Sequence, residues 1–127
     1  MEGKSFGDRS PSELVEAMYS GSKAALRPIH DRLVELALAL GNDVTLAPCS
    51  TMVPIRRRYV IAQIKPTINT RIDLGLALRE TKPTGRLIDT GGFSKKDRIT
   101  HRMQITSLSE IDGEVKGWLR KAYEMDA

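Results

Sequence analysis

Three consecutive arginines, Arg56, Arg57 and Arg58, run straight into the β-branched stretch YVIAQIKPTI. Guanidinium groups suit phosphate or carboxylate recognition, because each presents a planar fork of N–H donors. An extended strand alternates, so it would send Arg56 and Arg58 to one side and Arg57 to the other. The three make one patch only where a tight turn gathers them. In that case they are candidate nucleic-acid-binding residues, holding phosphates. The competing role is a solvated hairpin end whose charges discourage edge-to-edge pairing.

A second set is spread over several strands. Alternation places Tyr59, Gln63, Lys65, Arg71, Asp73, Arg102 and Gln104 on one face of a sheet. Of these, Tyr59, Lys65, Arg71, Asp73, Arg102 and Gln104 are the ligand-binding candidates, for a protein or a small anionic ligand. One tyrosine is thin for a base-stacking platform, and aromatic residues make up only 5% of the chain. An enzymatic alternative would assemble Arg71, Asp73, His101 and Arg102. Against it, alternation sends the neighbours His101 and Arg102 to opposite faces.

The remaining reactive residues are isolated. His30 and His101 are the two histidines, with no HxH or HExxH spacing, and read as hydrogen-bonded structural groups. Cys49 is the single cysteine, without a disulfide partner, a CxxC spacing or an evident base. The loop DTGGFS could wrap a phosphate with backbone amides, but a Gly–Gly pair alone is a weak pattern. PTGRL reads as a turn into a strand, and Trp118 as a core residue. No catalytic residue, metal site or cofactor is expected.

Positioning falls to the surrounding elements. Residues 1–10 read as a flexible lead-in, and residues 11–127 as a single α+β domain. SPSELVEAMYSG predicts a short helix ending at Gly21, with Ser10 as cap, Pro11 in the first turn and Glu13 three residues on. Residues 22–40 predict the main helix. Leu26, Ile29, Leu33, Leu36, Ala37 and Leu40 form its apolar stripe, Ser22 is its cap, and Gly41 with Asn42 its stop. Pro28 should bend the first turns or delay the start. The period then changes to two, predicting strands near 44–48, 52–57, 58–65, 69–78, 86–89 and 99–106. Pro48 and Pro54 suggest an edge position for the first of them. The last helix, 108–124, carries a Ser107/Glu110 capping box and the stripe Leu108, Ile111, Val115, Trp118, Leu119, Ala122. Gly113 and Gly117 weaken it but could allow close approach to a neighbour.

Short links between strands forbid parallel crossovers. The expected fold is a two-layer α+β sandwich. An antiparallel sheet of five or six strands carries two long helices on one face and leaves the other open. Charge is distributed in the same two-sided way. Residues 51–105 hold twelve basic and four acidic side chains, whereas residues 1–50 hold five and seven, and residues 106–127 three and five. A chain of 127 residues with 40% hydrophobic content is one ordinary domain. No stretch reaches the roughly 18 apolar residues of a membrane span. The first residues have no apolar run and so do not read as a signal peptide.

In this order, SKAALRPIHDRLVELALALGNDV, RIDLGLAL, KPTGRL, THRMQITS and EVKGWLRKAYE resemble a bacterial family of domains of unknown function. The resemblance covers about residues 12–124. Larger relatives often carry a second uncharacterised domain in front, with a GHGHAN-like stretch, so the resemblance implies a stand-alone form here. Some relatives bear the loose label of predicted transport protein. The family implies no catalytic residues. The element order is also similar to the frataxin sandwich, a fold analogy only. Frataxin-like metal handling needs a dense acidic ridge, whereas Asp31, Glu35 and Asp43 are diluted here by Arg27 and Arg32.

The resulting expectation is a non-enzymatic, cytoplasmic binding or interaction module, monomeric or weakly dimeric, using its basic sheet face. The alternatives are nucleic-acid binding through phosphates and frataxin-like metal handling.

Overall fold

The computed structural model describes residues 10–126. The expected lead-in otherwise lies outside the described residues, and Ser10 itself is a helix cap. Helix α1 spans Pro11–Met18, α2 spans Arg27–Leu38 and α3 spans Gly113–Met125. The strands are β1 (Thr45–Leu46), β2 (Val53–Arg56), β3 (Val60–Ile68), β4 (Arg71–Leu76), β5 (Ile88–Asp89) and β6 (His101–Ile105). Among the described residues they form one open antiparallel sheet in the order β1-β2-β3-β4-β6-β5. The fold is α+β, with all six strands falling within the expected segments or a few residues of them.

Local chemistry explains the helix ends. Ser10 accepts from the Glu13 amide at 3.2 Å while Glu13 returns a carboxylate to the Ser10 amide at 2.8 Å. This reciprocal cap starts α1 as expected, but the helix stops at Met18 rather than Gly21. Pro28 has the expected effect. Residues Gly21–Leu26 wind as a 3-10 turn and α2 starts at Arg27, with Pro28 in its first turn, where a missing N–H costs nothing. Ser22 does not cap this helix; its hydroxyl donates to Asn69.

Three expectations about the helices need correction. Ser107 and Glu110 form no capping box. Glu110 instead accepts from the Thr106 amide at 2.6 Å and hydroxyl at 2.9 Å, and its carboxyl is held below its ordinary range by those bonds. Leu108–Glu110 is only a 3-10 turn, and α3 starts later under Asp112, which accepts from the Val115 amide at 3.3 Å. Gly113 and Gly117 allow no close approach, since nothing lies within 4 Å of where their Cβ would be. Gly41 is no left-handed stop. A Cβ there would overlap the Tyr123 hydroxyl and come within 2.8 Å of Asp43 Oδ1.

The ladder has two sides. Val53, Ile55, Ala62, Ile64, Ile72, Leu74, Leu76, His101, Met103 and Ile105 share one face by register, and all are buried. They join Ile29, Leu33 and Ala37 of α2 and Val115, Leu119 and Ala122 of α3 in one core, with His101 packed at its margin. A bulge sets Val60 opposite Arg56 while Ala62 faces Ile55, so Ile61 is an extra residue in β3. The edge expectation for the prolines holds in part. Strand β1 is an edge, whereas β2 is internal; Pro54 lies beyond the two-residue β1 ladder, and its carbonyl accepts from the Ala47 amide.

Helix α3 is fastened by arginines. Arg57 donates to the Tyr123 carbonyl at 2.8 Å and Arg79 to the Met125 carbonyl at 3.1 Å. These are carbonyls of the last turn, which lack an intrahelical donor and sit at the negative end of the helix dipole. Asp126 follows with a buried carboxylate. It accepts from the Arg58 amide at 2.7 Å, the Tyr59 amide at 3.0 Å and Arg98 Nη2 at 2.7 Å. At the other end, Arg86 donates to Asp112 at 2.9 Å and to the Glu110 carbonyl at 2.8 Å.

Two stability outcomes follow from this geometry. Gly117→Ala should stabilise the protein by up to about 1 kcal/mol, because the new methyl meets open space in a helix interior. Asp126→Ala should destabilise it by about 2–3 kcal/mol, because two amides and a guanidinium lose their acceptor. Urea unfolding of each variant measures both; a stabilised Asp126→Ala would contradict the account of α3.

Candidate functional site

The register places Lys65, Asp73 and Gln104 side by side across β3, β4 and β6, on the face away from the core. The next row on that face is Pro54, Gln63, Gly75, Arg102 and Ile88. Gly75 matters in this row. A Cβ there would stand 2.8 Å from Gln63 Cγ and 2.9 Å from Ile99 Cγ2. The glycine therefore lets Gln63 and Ile99 close over the sheet beside Arg102.

Charge on this face is only partly internally satisfied. Asp73 Oδ2 accepts from the Thr67 hydroxyl at 2.6 Å and from Arg71 Nη2 at 3.4 Å, and Arg71 Nε lies 3.0 Å from Asp73 Oδ1, off the hydrogen-bonding axis. Arg102 differs. Its Nε is buried with no hydrogen-bond partner among the described residues. Lys65 likewise has no ion pair among them. Arg71 and Arg102 are well separated: Arg102 faces Gly75, four residues along β4 from Arg71, or about 13 Å at strand spacing.

The other candidates lie elsewhere. Tyr59 is in the turn before β3, outside the ladder, so alternation does not carry it to this face. Its ring is 59% exposed, with the Arg98 guanidinium 5.5 Å from its centroid. The arginine run is divided. Arg57 turns inward, pairing with Asp43 at 2.8 Å and lying 4.0 Å over the Tyr123 ring, while Arg56 and Arg58 are exposed. The Asp43 carboxyl is held below its ordinary range, first by the Arg57 bond and then by the Tyr123 hydroxyl.

His101 is far from an acid–base role. It is buried on the core face, its Nε2 donates to the Thr81 carbonyl at 2.7 Å, and Nδ1 meets the Thr100 hydroxyl at 2.7 Å. Arg71, Asp73, His101 and Arg102 therefore do not converge. The Gly–Gly loop does not cradle a phosphate with its first amides either. The Gly91 amide is used by Asp89 at 2.7 Å and the Gly92 amide by Thr90 at 3.1 Å. Among the described residues no group of three or more His, Cys, Asp or Glu could hold a metal ion. Asp31 pairs with Arg27, Glu35 with Arg32 and Asp43 with Arg57.

Sequence reading missed the Tyr19–His30 pair, whose ring centroids are 4.7 Å apart. Both residues are buried, and Tyr19 Oη and His30 Nδ1 have no hydrogen-bond partner among the described residues. The nearest usable signal was a tyrosine at the end of a short amphipathic helix, which does not name its contact. Burial, offset in part by nearby Asp31, lowers the His30 pKa to about 4, and burial raises that of the Tyr19 hydroxyl.

The sign of the resulting pH dependence is fixed. Between about pH 6.5 and 4 the unfolded chain binds the His30 proton and the folded one does not, so stability falls as pH falls. The loss should total on the order of 3 kcal/mol, at 1.36 kcal/mol per unit. Urea unfolding at pH 7 and pH 4.5 should show most of it, and His30→Leu should flatten that slope. An unchanged slope in the variant would assign the effect elsewhere.

No helix among the described residues is long and apolar enough to cross a membrane. Comparison with known proteins returned no matching curated protein and no matching solved structure. A family model does match, over residues 15–126, which takes in the sheet, α2, α3 and the second half of α1. The chain therefore belongs to the family described as Domain of unknown function (DUF5655).

Proposed function

We propose that this domain is a non-enzymatic binding module whose polar sheet face docks an acidic, extended segment of another protein. The observation that carries the reading is Arg102, a guanidinium on the face away from the core whose buried Nε has no hydrogen-bond partner among the described residues. A buried, unpaired donor on a charged group is costly, and an incoming carboxylate would satisfy it. Lys65 supplies a second cation, and the Arg71–Asp73 pair offers both signs. The distance of about 13 Å between the Arg71 and Arg102 positions along β4 favours an extended partner over one small anion.

The reading includes α2 and α3 lying together across the buried face, as in the frataxin arrangement, which leaves the polar face free. Their shared core with the sheet supports this. It also includes a bacterial, cytoplasmic setting, where the exposed Cys49 stays a free thiol. Metal handling is disfavoured by the arginine pairing of Asp31, Glu35 and Asp43.

Glutamate-rich peptides and single-stranded and duplex oligonucleotides, titrated at about 50 and 200 mM salt, separate the partner classes. Peptide binding should shift the amide resonances of residues 63–65, 71–75 and 102–104. The double variant Arg71→Ala/Arg102→Ala should abolish it with an unchanged circular dichroism spectrum. Peptide binding that survives the double change removes this face from consideration. Oligonucleotide binding that falls by orders of magnitude across the salt range would make phosphates the ligand instead.

A further inference from the structure

An open cavity of about 500 Å³ lies at the far end of the sheet from Arg71, where β4 ends and β6 begins. Its lining includes Ala77 and Thr100 from the ends of the sheet, Phe93 from the loop before β6, and the cations Arg79, Lys96 and Arg98. We propose that this cavity binds a planar aromatic anion of mononucleotide size, with the ring against Phe93 and the anionic group at Lys96 and Arg79.

The loop is built rather than loose. The Asp97 amide donates to the Gly92 carbonyl at 2.8 Å, the Lys96 amide to Phe93 at 3.1 Å, and the Thr90 amide to Thr100 at 3.0 Å. Gly92 is buried, and a Cβ there would overlap the Ile99 carbonyl. This folding holds Phe93 outward, 49% exposed, beside the cavity. A large aromatic ring left in water by a hydrogen-bonded loop is a surface that a planar ring can cover.

The cations are placed with similar care. Arg79 is fixed to the Met125 carbonyl, and Arg98 to the Val60 carbonyl at 2.6 Å and to Asp126 at 2.7 Å. Arg98 is thus largely neutralised, while Arg79 has no ion pair among the described residues and donates to a carbonyl. Lys96 has no ion pair among the described residues, and Asp97 supplies the one acidic side chain of the lining. Among the described residues, Arg79 and Lys96 are also the two non-glycine positions with positive φ, +52° and +61°. Both line this cavity. Strained backbone of this kind persists where the surrounding structure holds a side chain in a required place.

None of Lys65, Arg71, Asp73, Arg102 and Gln104 lines the cavity, so the two readings can fail independently. Adenosine 5′-monophosphate, adenosine and inorganic phosphate are the probes, each titrated into the full chain with amide resonances as the readout. The monophosphate should saturate and shift residues 77–79 and 93–100, and should bind more tightly than either of its halves. Phe93→Ala should weaken it roughly five- to hundredfold, the range for loss of an aromatic stack. Lys96→Ala should also weaken it, while Arg71→Ala/Arg102→Ala should leave it unchanged. The proposal is overturned by no saturation at millimolar monophosphate, by equal affinity for inorganic phosphate, or by Phe93→Ala binding as tightly as the parent.

Discussion

The last turn of α3 is the point on which the rest of the molecule depends. Three arginines from three separate segments end there: Arg57 on the Tyr123 carbonyl, Arg79 on the Met125 carbonyl and Arg98 on the Asp126 carboxylate. The negative end of a helix dipole attracts cations, and carbonyls of the final turn have no donor of their own. Asp126 adds a full charge to that end and caps the two amides of the turn between β2 and β3. One helix terminus therefore holds that turn, the segment after β4 and the loop before β6 in a single arrangement. Tyr123 extends the joint, its hydroxyl donating to Asp43 at 2.8 Å through the space that Gly41 leaves open.

This joint changes what the basic middle of the chain means. Residues 51–105 have a large excess of Lys and Arg, which suggests a charged contact surface. Part of that charge is engaged within the fold. Arg57, Arg79, Arg86 and Arg98 bind α3 or its flanks, and Arg71 is occupied by Asp73. Without an ion pair among the described residues are Lys65 and Arg102 on the polar face, Arg79 and Lys96 beside the cavity, and the exposed Arg56, Arg58, Lys82 and Lys95. Three of the middle arginines pair with the acidic ends of the sequence, Arg57 with Asp43, Arg86 with Asp112 and Arg98 with Asp126. Net charge by segment measures supply and says nothing about how much is consumed internally.

The polar face and the cavity both follow from backbone details at the strand ends. The bulge at Ile61 ends regular alternation before Tyr59, and so puts that ring in a turn with Arg98 rather than on the sheet. Gly75 leaves the sheet low enough for Gln63 and Ile99 to lie over it. Thr100 and His101 bond across to Leu78 and Thr81, fixing the segment that carries Arg79.

Local chemistry in the sequence determined much of the outline. The Ser10/Glu13 cap, the delay imposed by Pro28, the stripe of α2, that of α3 from Val115 onward and the six short strands were legible, because each rests on neighbours within a turn or on strict alternation; Leu108, expected to open the α3 stripe, is exposed in the preceding 3-10 turn. Alternation also assigned Lys65, Arg71, Asp73, Arg102 and Gln104 to one face and His101 to the other. The failures share a different cause. Ser107 and Glu110 have capping-box spacing, but Glu110 is drawn back to Thr106 and Asp112 starts the helix. Gly41, Gly113 and Gly117 look alike in sequence; only the position of Tyr123 makes Gly41 necessary and leaves the other two facing open space. Which arginine turns inward, which polar atom is left unpaired at Arg102, Tyr19 and His30, and where Phe93 stands were decided by the tertiary structure. The α3 partners of Arg57, Arg79 and Arg98 lie 66, 46 and 28 residues away, and no spacing rule reaches that far.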